Sequence, residues 1–157
     1  MRVGRRLGVD VGDVRVGVAT CDPEGLIATP VETIAAGQDC IPRLAALARE
    51  YGVIEVVVGF PLSLSGREGP AAAKVRLFAD DLAAALAPVS VRLVDERMST
   101  MTADSHLRAS GLAGRKQSGK KRAVIDQAAA TVILQAALDA ERTQGKPPGE
   151  PPDERVR

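Results

Sequence analysis

The sequence predicts an α/β domain on a mixed five-stranded sheet, its first three strands antiparallel and the later ones parallel, flanked by helices. Three observations carry this. An alternating apolar run near the N-terminus turns back on itself, two short β-branched and nearly all-apolar runs follow, and segments of helical periodicity separate and follow those runs.

Leu7, Val9 and Val11 alternate with Gly8, Asp10 and Gly12, the period of a half-buried strand. Gly12-Asp13 reads as a turn, and Val14, Val16 and Val18 mark a second strand paired closely with the first. A third strand is expected over 26–34, where Pro30 confines it to an edge or a bulge. Pro42 suits the first turn of a helix that faces Leu44, Leu47, Ala48 and Tyr51 inward. The run 54–59 has the composition of a strand covered on both faces. After a Gly/Ser/Pro loop, a helix over 70–87 aligns Val75, Phe78, Leu82 and Leu86, and 89–94 is another buried strand. A short helix near 100–110, a Gly/Lys loop and a long helix over 122–142 complete the order β-β-β-α-β-α-β-α-α. From Gln144 the four prolines and mixed charges of GKPPGEPPDERVR predict a disordered tail, leaving 1–143 as the domain and 144–157 outside it.

Composition narrows the functional classes. A length of 157 residues suits a single core. The net charge of +1 means that any basic footprint for nucleic acid must be local. Tyr51, Phe60 and Phe78 are the only aromatic residues, which argues against modules that stack bases on exposed rings. Cys21 and Cys40 lack CxxC spacing and read as reduced intracellular thiols. The opening MRVGRR has no apolar signal segment and no stretch approaches 18 apolar residues, so the expectation is a cytoplasmic protein without a membrane partner.

Acidic residues stand where solvated surface charge is not expected. Asp10 lies mid-strand between Gly8 and Gly12 on its own face, glycines expected to leave room for a substrate or an ion. Asp126 heads a helical stripe made of Ala129, Ala130, Ile133, Leu134, Ala137 and Leu138, an orientation that is costly unless the carboxylate is paired or metal-bound. A helix-dipole role explains an acid near a helix start but not its apolar facing. Asp95-Glu96 ends a buried strand, at the edge where open α/β sheets bind ligands. Adjacent residues point to opposite faces, so one of the two enters a given site, and spacing does not say which. Carboxylates from separate elements, without a histidine cluster, suit Mg²⁺ or Mn²⁺ and two-ion phosphodiester hydrolysis. His106 stands alone on a predicted short helix.

Arg115, Lys116, Lys120, Lys121 and Arg122 form a glycine-punctuated basic arm just before the helix of Asp126, placed to hold a polyanion. Within it GRKQSGKK approaches a phosphate-binding Walker A loop. Lys121 occupies the position that needs Ser or Thr, and the preceding segment is helical, so the match fails.

With these residues identified, the chain resembles the YqgF/RuvX family of RNase H-like proteins. Four ordered blocks carry the likeness: GVDVGDVRVGVA from Gly8, GFPLSLSGREG from Gly59, VDERMST from Val94 and RAVIDQAAATVIL from Arg122. The resemblance implies an RNase H-like fold, a catalytic and metal-binding set of Asp10, Glu96 and Asp126, and Mg²⁺ or Mn²⁺ as cofactor. It favours Glu96 over Asp95. It also implies a nuclease acting on structured RNA at the 5′ end of pre-16S rRNA, with a DNA Holliday junction, or a non-catalytic ribosome-assembly role, as alternatives. Arg15, Arg97 and the basic arm are then the expected nucleic-acid contacts. Thr102 stands where relatives often carry Glu, so a helix starting at Ser99 lacks its capping-box partner.

Overall fold

The N-terminal alternation folds into a hairpin in this computed structural model, which describes residues 1–63, 65–98 and 119–152. Strands β1 (Arg6–Val11) and β2 (Arg15–Cys21) pair antiparallel, with Asp10 opposite Gly17. β3 (Ala28–Ala35) adds antiparallel to β2, and β4 (Glu55–Phe60) and β5 (Ser90–Asp95) extend the other side in parallel. The resulting order, β3-β2-β1-β4-β5, is the mixed sheet expected from the sequence. Pro30 sits on the edge strand, and the β2–β3 register shifts between Val18 and Ala19, opposite Glu32 and Pro30. An edge and a bulge both spare a ladder the hydrogen bond that proline cannot donate.

Two helices cover one face. α1 (Cys40–Tyr51) buries Leu44, Leu47 and Ala48 and ends on Gly52, whose left-handed conformation lets its N–H reach the carbonyls of Ala48 and Arg49. α2 (Pro70–Leu86) starts on Pro70 and buries Val75, Ala79, Leu82 and Leu86. With Val9, Val16, Val18, Val56 and Val58 from the sheet they form the larger core. A 3-10 turn, Glu96–Met98, follows β5. The last helix, α3 (Gly119–Gln144), crosses the opposite face and packs Ala130, Leu134, Ala137 and Leu138 on Ala19, Cys21 and Val57. By length and composition α3 matches a membrane span. Here its apolar stripe is spent on the sheet, as in a core helix. Cys21 and Cys40 are buried free thiols. The predicted helix over 100–110, with His106, Ser99 and Thr102, and the arm residues Arg115 and Lys116 lie outside the described residues.

The far end of the sheet is tied to α3 by buried ions. Glu141 accepts from Arg6 at 2.9 Å and from Arg2 at 2.6 Å, and Arg2 also donates to Glu55 at 3.0 Å. Burial works against ionisation of Glu141, but hydrogen bonds from Arg2 and the charge of Arg6 outweigh it and hold the carboxyl below its usual range.

The expectation of a disordered tail from Gln144 is corrected over 145–152. Leu93 and Glu150 exchange both backbone hydrogen bonds, at 2.7 and 3.0 Å, and Arg92 donates to the carbonyls of Pro148 and Gly149. Arg76 donates to the Pro152 carbonyl at 2.7 Å. The cause is the open edge of β5, whose backbone groups need partners. Proline lacks a donor but keeps its carbonyl, so a Pro-rich composition does not prevent this docking.

Candidate acidic active site

Sheet geometry brings Asp10 to the centre of the site. Gly8 and Asp10 share one face of β1, the face under α3, because side chains alternate. Gly8, however, leaves no room for a ligand. A Cβ there would lie 2.6 Å from Leu134 Cβ and 3.0 Å from the Ala130 carbonyl, so this glycine admits the helix. That corrects the reading of Gly8 as space beside the carboxylate. Gly12 does line the cleft, and its N–H closes the turn onto the Arg15 carbonyl at 2.9 Å.

The glycines that let other groups approach Asp10 are on the neighbouring strands. Gly17 is directly opposite Asp10, and a side chain on it would run into the Asp126 carbonyl. Paired positions on adjacent strands lie about 5 Å apart, so the start of α3 passes within reach of Asp10. On the other side, a Cβ at Gly59 would meet Glu96 Oε2 at 3.1 Å and Ile133 Cδ1 at 2.7 Å. Glu96 therefore lays its carboxylate over β4, the strand next to β1. Neither Gly17 nor Gly59 stood out in the sequence, since their neighbours come from other elements.

Asp10, Glu96, Gly12, Gly59, Pro61 and Ala71 line one cleft of about 260 Å³ at the strand ends. Burial, then the charge of Glu96, then that of Asp126, push the Asp10 carboxyl up to about 6. Burial and Asp95 also raise Glu96. Among the described residues no cation pairs with Asp10. This is the electrostatic condition that a hard divalent cation relieves, and the all-oxygen donor set suits Mg²⁺ or Mn²⁺.

Asp126 is placed differently. Arg15 Nε donates to its Oδ2 at 2.8 Å, with both side chains half-buried. An apolar-facing carboxylate is tolerable when paired, and Arg15 supplies that pair. Among the described residues no three carboxylates enclose one ion-sized space, and the Asp126 carboxylate is engaged by Arg15 while its charge still reaches Asp10.

Geometry also separates the acids at the end of β5. Asp95 accepts from Arg97 at 2.6–3.0 Å and is held below the usual range by it, lining a different depression with Phe60 and Leu62. Glu96 faces the Asp10 cleft. Of the expected phosphate contacts, Arg15 and Arg97 thus carry carboxylate partners, while Lys121 and Arg122 are exposed on the first turns of α3. Lys120 opens the same helix, its side chain outside the description.

A family model described as "RuvX: Holliday junction resolvase" matches residues 4–140. A Streptomyces coelicolor protein named "Putative pre-16S rRNA nuclease" is 62% identical over 96% of this chain and 89% of its own length. A Thermobifida fusca protein of the same name is 56% identical over 96% of each. In three dimensions the chain resembles Thermus thermophilus RuvC solved with a Holliday junction substrate, with a TM-score of 0.60 at 15% identity over 94% of this chain and 99% of that one. A second RuvC structure from the same organism gives 0.53 at 14% identity, covering 94% and 99%. These neighbours identify the fold as RNase H-like.

Proposed function

The chain belongs to the RuvX family of nucleases, and from that premise we propose a divalent-metal-dependent endonuclease that matures the 5′ end of pre-16S rRNA in the cytoplasm. The observation that carries the reading is the half-buried Asp10 carboxyl, without a cationic partner among the described residues and driven up to about 6 by desolvation, then by the charges of Glu96 and Asp126. Asp10, Glu96 and Asp126 are the catalytic and metal-holding residues in this proposal.

A bound Mg²⁺ or Mn²⁺ supplies Lewis-acid polarisation of the phosphoryl group and a lowered pKa for attacking water. The protein's part is placement. Gly17 and Gly59 let α3 and Glu96 approach Asp10, and Asp126, paired with Arg15 in this structure, would be the third acid to hold the ion. Arg15, once freed from Asp126, would be a cation beside the scissile phosphate. Lys121 and Arg122, with Arg115, Lys116, Lys120 and Arg97, hold the flanking backbone, where each neutralised phosphate adds salt-sensitive affinity.

The description of the family model favours a second reading, resolution of four-way DNA junctions. Purified protein should be offered a matched RNA precursor, a four-way DNA junction and single strands, each with EDTA, Mg²⁺ or Mn²⁺. The expected result is metal-dependent cutting of the precursor, lost in Asp10→Asn and Glu96→Gln. Preferential junction cleavage would replace RNA by DNA as substrate. Binding without cutting in any metal would make the protein an assembly factor and overturn the enzymatic reading.

A further inference from the structure

The cleft beside Asp10 has a second wall. Lys74, in the second turn of α2, lines it together with Asp10, Asp13, Gly12, Gly59 and Glu96. Among the described residues it is the one cation on that lining, against three acids. Its ammonium pairs with Asp13 in the turn between β1 and β2, so the pair joins α2 to the hairpin turn on the cleft lining. No helical neighbour competes for Lys74, because the residues three and four positions away are Pro70, Ala71, Leu77 and Phe78.

We propose that Lys74 binds substrate, exchanging Asp13 for a backbone phosphate on the α2 side of the cleft. The proposal deepens the nuclease reading and rests on it. The exchange is easy because the pair is solvated: Lys74 is 65% and Asp13 80% exposed, and surface pairs of this kind contribute little. A lysine is suited to it, a compact charge on a flexible stem that follows an anion over several ångströms. A polyanion entering a cleft that presents Asp10, Asp13 and Glu96 meets repulsion wherever no cation intervenes. Lys74 offsets that repulsion from the α2 side of the cleft, while Asp13 holds the ammonium at the lining until a phosphate arrives. In the sequence Lys74 is an ordinary exposed helix lysine. Only the approach of the hairpin turn to α2 gives it a place at the site.

The experiment measures binding of labelled precursor RNA across several salt concentrations, together with steady-state cleavage, for wild type, Lys74→Ala, Lys74→Arg and Asp13→Asn. Lys74→Ala should weaken binding about tenfold and flatten the log–log salt slope by about 0.7 for a single strand. Its kcat at saturation should stay within about twofold of wild type, because the lost contact is to a flanking phosphate rather than the reacting group. Lys74→Arg should keep both affinity and slope. Asp13→Asn should tighten binding, since it removes the competitor. A purely structural pair would behave oppositely, with Asp13→Asn weakening binding as much as Lys74→Ala. That result, or an unchanged slope in Lys74→Ala, would overturn the inference while wild-type cutting leaves the nuclease reading intact. Wild type that neither binds nor cuts nucleic acid would overturn both.

Discussion

Replacing Asp10 by Asn removes one charge from a crowded acidic site at almost constant volume, and the pKa of Asp10 sets the expected size of the effect. An aspartate that titrates at 3.8 when unfolded and at about 6 when folded binds its proton more tightly in the native state. Ionisation therefore opposes folding. The penalty is fully present above pH 6–7, shrinks as pH falls through the folded pKa, and is gone below the unfolded value. At about 1.4 kcal/mol per unit, a shift of roughly two units amounts to about 3 kcal/mol at pH 8 and about 0.5 kcal/mol at pH 4. Asp10→Asn should thus stabilise the metal-free protein at pH 8. For a chain of this size that is about 6–12 °C in Tm. The advantage should fade on acidification. Thermal melts of both proteins in EDTA from pH 8 to 4.5 provide the assay, and the difference between them isolates Asp10 from other titrations. Millimolar Mg²⁺ should then raise the wild-type Tm and leave the variant unmoved, because only an ion bound to the native state stabilises it. A variant no more stable than wild type at pH 8, or an advantage independent of pH, would refute the crowded-carboxylate account and the metal site built on it.

Other expectations concern the parts that hold the site. Gly17→Ala puts a methyl into the Asp126 carbonyl and should cost about 3 kcal/mol in urea unfolding while abolishing cleavage. Glu141→Ala strands Arg6 without its buried partner and should cost about 3–5 kcal/mol. The Glu141 carboxyl is depressed in the fold, so its contribution is present above the usual glutamate pKa and is lost as pH falls through the lower folded value. Wild type minus Glu141→Gln stability should narrow with acidification over that range. Deleting 145–157 uncovers the β5 edge, so concentration-dependent association on size-exclusion chromatography is expected, with Leu93 losing amide protection from hydrogen exchange.

What the sequence determined by itself is what local geometry controls. The period of two placed Asp10 on a strand among buried neighbours, and the period of 3.6 set Asp126 on the apolar stripe of α3, because backbone conformation alone decides where those side chains point. Pro30 on the edge strand was legible for the same reason, since a missing donor is a property of the residue itself. The tertiary structure decided what depends on distant partners. Arg15 meets Asp126 across 111 residues, Lys74 meets Asp13 across 61, and Arg92 reaches Gly149 across 57. The same holds for Gly17 and Gly59, which matter for what approaches them, and for Glu96, separated from Asp95 by the face each presents. Charge pairing and close approach depend on separation in space, and separation along the chain carries almost none of that information until the sheet and its helices have packed.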